Sequence, residues 1–305
     1  MLSAGRFAWT SWGLLCGVLA CGGTSATEAS KDGKEAADAK AKAPVKPKPE
    51  AKAEPREVAP SQRALPTTPP TREEAAKRAA EIHADHRVSF YCGCSYTTDM
   101  RTIRQSCGYK TRADESLAHE IKWTHVVPAR AFGAHRACWT TEACQRDDGT
   151  SFGGIECCRQ RDPMFTRMEN DLTNFVPEIA EVDKDRSDFP FGTIKGEVRM
   201  YGACDIEVDG AAEIVEPPEA VRGDVARVYL YMRAVYGDEL QVPAEQWSLL
   251  EQWAADDPPD AWEQQRGARI AELQKLAAPD LGARPPPPPP PAGAAPAGGG
   301  GCTAR

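Results

Sequence analysis

The chain has 305 residues, 37 of them Lys or Arg and 45 Asp or Glu, for a formal net charge of −8. That balance excludes the strongly basic kind of protein that fills a groove with nucleic acid by charge alone. It leaves room for an enzyme that holds a phosphate briefly through a cation and a few arginines.

Residues 1–21 read as an export signal. Arg6 supplies the positive end, and residues 12–20 form an apolar run too short to span a bilayer. The run closes on Val18-Leu19-Ala20-Cys21, which resembles a bacterial lipobox and makes Cys21 the expected lipidation site. Residues 22–70 are rich in Ala, Lys, Glu and Pro, and cannot bury enough apolar surface to offset ordering entropy. They are expected to form a disordered tether. Residues 282–305 pass through seven consecutive prolines into Gly and Ala, a composition for polyproline II and flexible coil. Residues 71–281 remain for one folded domain.

Within that domain Thr71 is placed to cap a helix running to about Arg87. The β-branched and aromatic run 88–96 should be extended. Residues 120–127 read as a strand ending at Pro128, and 130–138 as a short helical turn. The polar, glycine-rich stretch 140–154 reads as a loop. Pro163 opens a helix to about Leu172, and 178–188 form a short charged helix or turn. Alternating runs on both sides of Gly202 suggest a strand pair within 195–215. The clearest helix is 221–236, whose Val225, Val228, Tyr229, Met232 and Val235 recur at spacings of three and four. Helices over 245–253 and 259–276 follow. The expected class is α+β, with mixed helices and short antiparallel strands.

Eleven cysteines are present. Eight fall inside the domain: Cys92, Cys94, Cys107, Cys138, Cys144, Cys157, Cys158 and Cys204. An even number in an exported domain reads as disulfide staples, although eight cysteines admit on the order of a hundred pairings. Zinc is the competing use, but Cys92-Gly-Cys94 and the adjacent Cys157-Cys158 lack the usual ligand spacing.

Two clusters carry chemistry. Trp123-Thr124-His125-Val126-Val127-Pro128-Ala129 sets a histidine between a strand and a proline turn, where a neutral imidazole could take a proton from water. Asn170-Asp171-Leu172-Thr173-Asn174 and Glu181-Val182-Asp183-Lys184-Asp185-Arg186-Ser187 offer oxygen ligands suited to Mg²⁺. With Phe90-Tyr91-Cys92-Gly93-Cys94, Met168-Glu169 and Arg222-Gly223-Asp224-Val225-Ala226-Arg227, these motifs stand in an order that resembles the bacterial endonuclease I family of periplasmic nucleases.

The resemblance implies a ββα-metal core and a non-specific endonuclease acting on DNA and RNA. It makes His125 the general base and Asp183 a metal ligand, with one Mg²⁺ expected and Ca²⁺ or Mn²⁺ as substitutes. Asn174 is expected to position the base or the metal loop. Thr124 stands at the second metal-ligand position, where the family usually has Glu. Either the site works with Asp183, waters and substrate phosphate, or the chain is an impaired nuclease-fold lipoprotein that binds nucleic acid or an envelope partner. The family's phosphate-binding arginine maps onto Arg146, Arg159 or Arg161, with Arg159 slightly favoured. His83 and His86 are expected on a solvated helix face, and Glu169 and Glu181 in local structural roles. The protein is expected to be monomeric, exported, and lipid-anchored to the bacterial envelope at the outer membrane.

Overall fold

A pair of antiparallel strands and the helix that follows them position the candidate site. The computed structural model describes residues 64–276, except 197, so the expected signal, Cys21, most of the tether and the proline-rich tail lie outside the described residues. β1 (Ile121–His125) pairs with β4 (Phe175–Ile179), in a register that sets Thr124 against Val176 and His125 against Phe175. α7 (Ala180–Arg186) leaves β4 without a linker. The remaining sheets among the described residues are two-stranded: β2 (Cys144–Gln145) with β3 (Ser151–Phe152), and β5 (Glu207–Asp209) with β6 (Ile214–Glu216). The molecule is α+β, with mixed helices and short antiparallel strands, as its sequence pattern indicates.

The helices divide into a leading one, a central cluster and a closing trio. α1 (Arg72–Ile82) begins where Thr71 accepts a hydrogen bond from the Glu74 N–H, as expected of that cap. It ends five residues earlier than its pattern suggests. Of α2 (Glu115–Ala118), α3 (Ala129–Gly133), α4 (Ala137–Thr140), α5 (Ile155–Arg161) and α6 (Pro163–Glu169), α2 packs on α7, while α3 packs on α5 and α6 and α5 on α4 and α6. α8 (Arg222–Tyr236) buries all five of its periodic positions and also Leu230, Tyr231 and Tyr236, so it is a central helix rather than a surface one. α9 (Ala244–Asp256) packs along it through Leu250 and Trp253. The approach is close: a Cβ on Gly223 would lie 2.1 Å from the Asp257 carbonyl, which accounts for glycine at the start of α8. α10 (Ala261–Gln274) brings Ile270 against Ala75, Ala79 and Ile82 of α1 and against Leu172 and Phe175.

Disulfides fix the pairing that spacing left open. Cys92–Cys204, Cys94–Cys107, Cys138–Cys158 and Cys144–Cys157 join all eight domain cysteines. Neighbouring cysteines diverge to different partners, so each close pair anchors two segments.

Several sequence expectations need correction. The 88–96 run is not one strand. It folds back so that Val88 pairs with Ser95, with Gly93 at φ 62° in the bend. The later strand pair lies at 207–216 and turns near Gly210, because Asp209 accepts hydrogen bonds from the Ala211 and Ala212 N–H groups. Strand β4 is absent from the sequence reading. All five of its residues are buried, which removes the alternation that marks a strand, and Pro177 sits in its middle. The Pro177 carbonyl still accepts from the Phe90 N–H, so the edge is used without needing a donor from proline. His83 is 4 % exposed rather than solvated. Because α1 stops at Ile82, His83 turns inward, edge-on to Trp123 and Trp262, while His86 stacks on Trp262 at 3.9 Å.

Candidate active site

The end of β1 is held by three sets of hydrogen bonds. Asn174, fully buried, accepts from the Val127 N–H (2.7 Å) and donates to the Val127 carbonyl (2.9 Å). The Val126 N–H donates to the Asn174 carbonyl. Arg186, 2 % exposed on α7, donates to the carbonyls of His125 and Val126. A strand end is normally free to fray, and here every clamp comes from the neighbouring strand segment or from α7. The backbone that carries His125 is therefore fastened by side chains as well as by the strand ladder.

The imidazole of His125 is 8 % exposed. Its Nε2 lies 2.8 Å from the Glu169 carbonyl oxygen and 3.3 Å from Arg72 Nη1. A carbonyl only accepts and a guanidinium only donates, so Nε2 cannot serve both. The shorter contact decides: Nε2 carries the hydrogen and donates to Glu169, which leaves Nδ1 with the lone pair. Burial first, and the Arg72 guanidinium second, push the imidazole down to about 3, so it is neutral across the ordinary pH range.

On the neighbouring helix the Thr124 hydroxyl donates to Asp183 Oδ1. Asp183 is half-buried at the fourth position of α7, and Thr124 is buried on β1. The two residues expected as ligands are thus in contact, one carboxylate and one hydroxyl. Among the described residues no three His, Cys, Asp or Glu side chains converge as a metal cluster. This donor set does not suit a closed zinc cage. It suits a Mg²⁺ ion that keeps most of its waters and takes one or two protein oxygens.

The three arginine candidates separate. Arg159 on α5 makes three hydrogen bonds of 2.5–2.9 Å to the Glu169 carboxylate, which is 1 % exposed, and its own side chain remains 36 % exposed. Through Glu169 it is tied to the residue that orients His125. Arg146 instead lies over the Phe152 ring, and Arg161 reaches the Ala143 carbonyl, both in the disulfide-stapled hairpin region. Glu181 is structural, as expected: it accepts from the backbone N–H groups of Arg112, Ala113 and Asp114 and from the Tyr109 hydroxyl. The sequence reading missed Arg72 and Arg186. Arg186 lay inside a recognised motif without a role, whereas nothing local marks Arg72, which reaches His125 from 53 residues away.

The Endonuclease I family pattern matches residues 71–281. The chain belongs to the Endonuclease I family. An extracellular deoxyribonuclease of Aeromonas hydrophila is 37 % identical over 215 residues, covering 69 % of this chain and 88 % of its own length. A periplasmic deoxyribonuclease of the same organism is 37 % identical over 198 residues, 64 % of this chain and 78 % of its own. Endonuclease-1 of Buchnera aphidicola subsp. Acyrthosiphon pisum (strain APS) is 34 % identical over 197 residues, 64 % of this chain and 73 % of its own. The matched region of this Endonuclease I chain contains β1, β4, α7 and all four disulfides found among the described residues.

Proposed function

We propose that this chain is an exported, metal-dependent endonuclease that hydrolyses phosphodiester bonds of DNA and RNA with little sequence preference. The observation that carries the reading is the tautomer of His125. Donation from Nε2 to the Glu169 carbonyl leaves Nδ1 as a lone-pair nitrogen, on the residue that follows Thr124, whose hydroxyl is bonded to Asp183. The relatives named as deoxyribonucleases and Endonuclease-1 support the same class.

In this reading β1, β4 and α7 form the ββα-metal unit. His125 Nδ1 receives a proton from the attacking water, a contribution of about 10²–10⁴-fold. Asp183, with Thr124, holds the cation, for which Mg²⁺ is the best match and Ca²⁺ or Mn²⁺ are substitutes. When bound, the cation withdraws charge from a phosphate oxygen and stabilises the leaving oxygen. Arg159 presents its exposed guanidinium edge to the phosphate while Glu169 holds its orientation. Such contacts address the sugar–phosphate backbone, which carries no base information, so sequence preference is weak. Residues 71–281 act as the nuclease domain, working as a monomer. Residues 22–70 tether it to a lipid on Cys21 in the outer membrane, a placement tested by whether Cys21→Ala leaves the membrane fraction.

The test is cleavage of supercoiled plasmid and of RNA by oxidised protein with Mg²⁺, with EDTA, and with His125→Ala. Cleavage that needs the metal and falls by at least about 10²-fold in the variant is expected. Metal-independent cleavage, or cleavage unaffected by His125→Ala, overturns the mechanism. Cleavage of DNA alone removes RNA from the substrate class.

A further inference from the structure

The unexplained charge at this centre belongs to Arg72. It is the first residue of α1, and its guanidinium reaches across to β1 and α6. Nη2 donates to the Trp123 carbonyl at 2.9 Å, and the guanidinium carbon lies 5.1 Å from the centre of the Phe175 ring. Nη1 faces His125 Nε2 at 3.3 Å, where both groups are donors, so that approach is no hydrogen bond. Its nearest carboxylate oxygen, Glu169 Oε1, is 3.8 Å away and already accepts from Arg159 at 2.5 Å. Among the described residues, Nη1 therefore has no acceptor of its own.

Charge counting gives the same result. Two guanidiniums, Arg72 and Arg159, flank a single buried carboxylate, Glu169. Arg159 donates three bonds to that carboxylate, which leaves Arg72 with only the 3.8 Å approach to Glu169 and the field of Asp183, and with no carboxylate hydrogen bond of its own. A partly desolvated guanidinium held only by such longer-range attraction gains when an anion binds it directly. Arg72 is also not free to swing away. The preceding segment is fastened to α6 and α10: Arg167 donates to the Pro66 carbonyl, Asn170 to the Pro69 carbonyl, and the Thr67 N–H to the Gln274 carbonyl. Its side chain is 39 % exposed, enough for a ligand to reach it.

We propose that Arg72 is a second phosphate-binding residue of the nuclease centre, in which Arg72 and Arg159 flank His125 and together clamp the anionic backbone of the bound strand. The inference rests on the nuclease reading for the nature of the ligand. It assigns a substrate contact to α1, the first helix of the domain, so the strand-binding surface extends beyond the motifs at 90–94, 123–129, 168–187 and 222–227.

Binding and turnover test it separately. In the His125→Ala background, a short duplex DNA is titrated by fluorescence anisotropy over a range of salt, with Arg72 intact and as Arg72→Gln. Loss of one phosphate contact is expected to weaken binding about 10- to 100-fold at low salt. It should also lower the slope of log K against log salt by about 0.9. In the active background Arg72→Gln should raise KM more than it lowers kcat, and Arg72→Lys should recover part of the loss. An unchanged salt slope overturns the proposal, even if Arg72→Gln lowers the melting temperature, because a packing role does not alter the number of counterions released. If the parent cuts normally and the slope is unchanged, this inference alone fails. A parent that binds DNA with the expected slope but does not cut removes the catalytic reading and keeps Arg72 as a contact, whereas a parent that neither binds nor cuts removes both.

Discussion

A single hydroxyl stands where the family usually places a carboxylate, and the geometry around Thr124 shows what that exchange does. The hydroxyl donates to Asp183 Oδ1 and so holds the carboxylate against β1 without adding a charge. The charge of the pair then sits on Asp183 of α7 rather than on the strand. Removing the hydroxyl with Thr124→Val should raise the Mg²⁺ concentration for half-maximal cleavage by about 10- to 100-fold, the usual effect of losing a group that orients a metal ligand. Asp183→Ala should abolish the Mg²⁺ response. Thr124→Glu should lower the Mg²⁺ requirement in an active enzyme. If instead the parent is inactive and Thr124→Glu creates activity, the chain is the impaired nuclease-fold lipoprotein. A Mg²⁺ titration of plasmid cleavage distinguishes these cases.

At the scale of elements, the site depends on pieces too short to be stable alone. β1 and β4 have five residues each and α7 has seven, below the length at which an isolated helix persists in water. They are held by side chains from elsewhere: Asn174 and Arg186 on the end of β1, and Arg266 of α10, which donates to the carbonyls of Leu172, Thr173 and Phe175. Disulfides do the same over longer distances. Cys92–Cys204 closes a sequence separation of 112 residues, whereas Cys144–Cys157 closes 13. Loop-closure entropy makes the long cross-link worth about 2 kcal/mol more than the short one. Urea unfolding of Cys92→Ala/Cys204→Ala and Cys144→Ala/Cys157→Ala should therefore show the larger loss in the first, about 2–5 kcal/mol. Equal losses would mean that the unfolded chain is already compact between residues 92 and 204.

For the whole molecule, buried titratable groups set the pH range of stability. Burial pushes His83 down to about 3 from 6.5, and His125 shifts the same way. Each imidazole is neutral when folded and gains a proton on unfolding in mild acid. The stability they contribute is present above pH 6.5 and is lost as pH falls toward 3. Glu178 acts in the opposite sense. Burial raises it to about 7 from 4.5, so its contribution is present below pH 4.5 and is lost as pH rises through 7. Asp224, raised to about 8 by burial and by Glu263, acts as Glu178 does, so the carboxyls and the histidines oppose each other between pH 4.5 and 6.5, and the melting temperature should fall on acidification below about pH 4.5, where the histidines still lose stability. Replacing His83 by Phe, which keeps a ring between Trp123 and Trp262, should flatten that fall by up to about 1.4 kcal/mol per pH unit. An unchanged acid limb would show that His83 does not control it.

Sequence alone determined what local chemistry can specify. It identified the family motifs, the α+β class, the Thr71 cap, the central helix through its spacing of apolar residues, and cysteines in a number suited to disulfides. It also named His125, Asp183, Thr124 and Asn174, because each lies in a short motif whose residue types suit the proposed chemistry. Tertiary structure decided the rest. β4 is buried on both faces and broken by Pro177, so no period marks it. His83 looked solvated on a polar helix until the early end of α1 turned it inward. The cysteine pairing required the fold, because spacing is silent about which of many partners lies near. Arg72 was not detectable from sequence: its position beside His125 depends on α1 folding back over β1 from 53 residues away, and its want of a carboxylate hydrogen bond follows only from knowing that Arg159 already satisfies Glu169. Motifs record chemistry within a few residues, whereas a charge balance is a sum over groups that only the folded chain brings together.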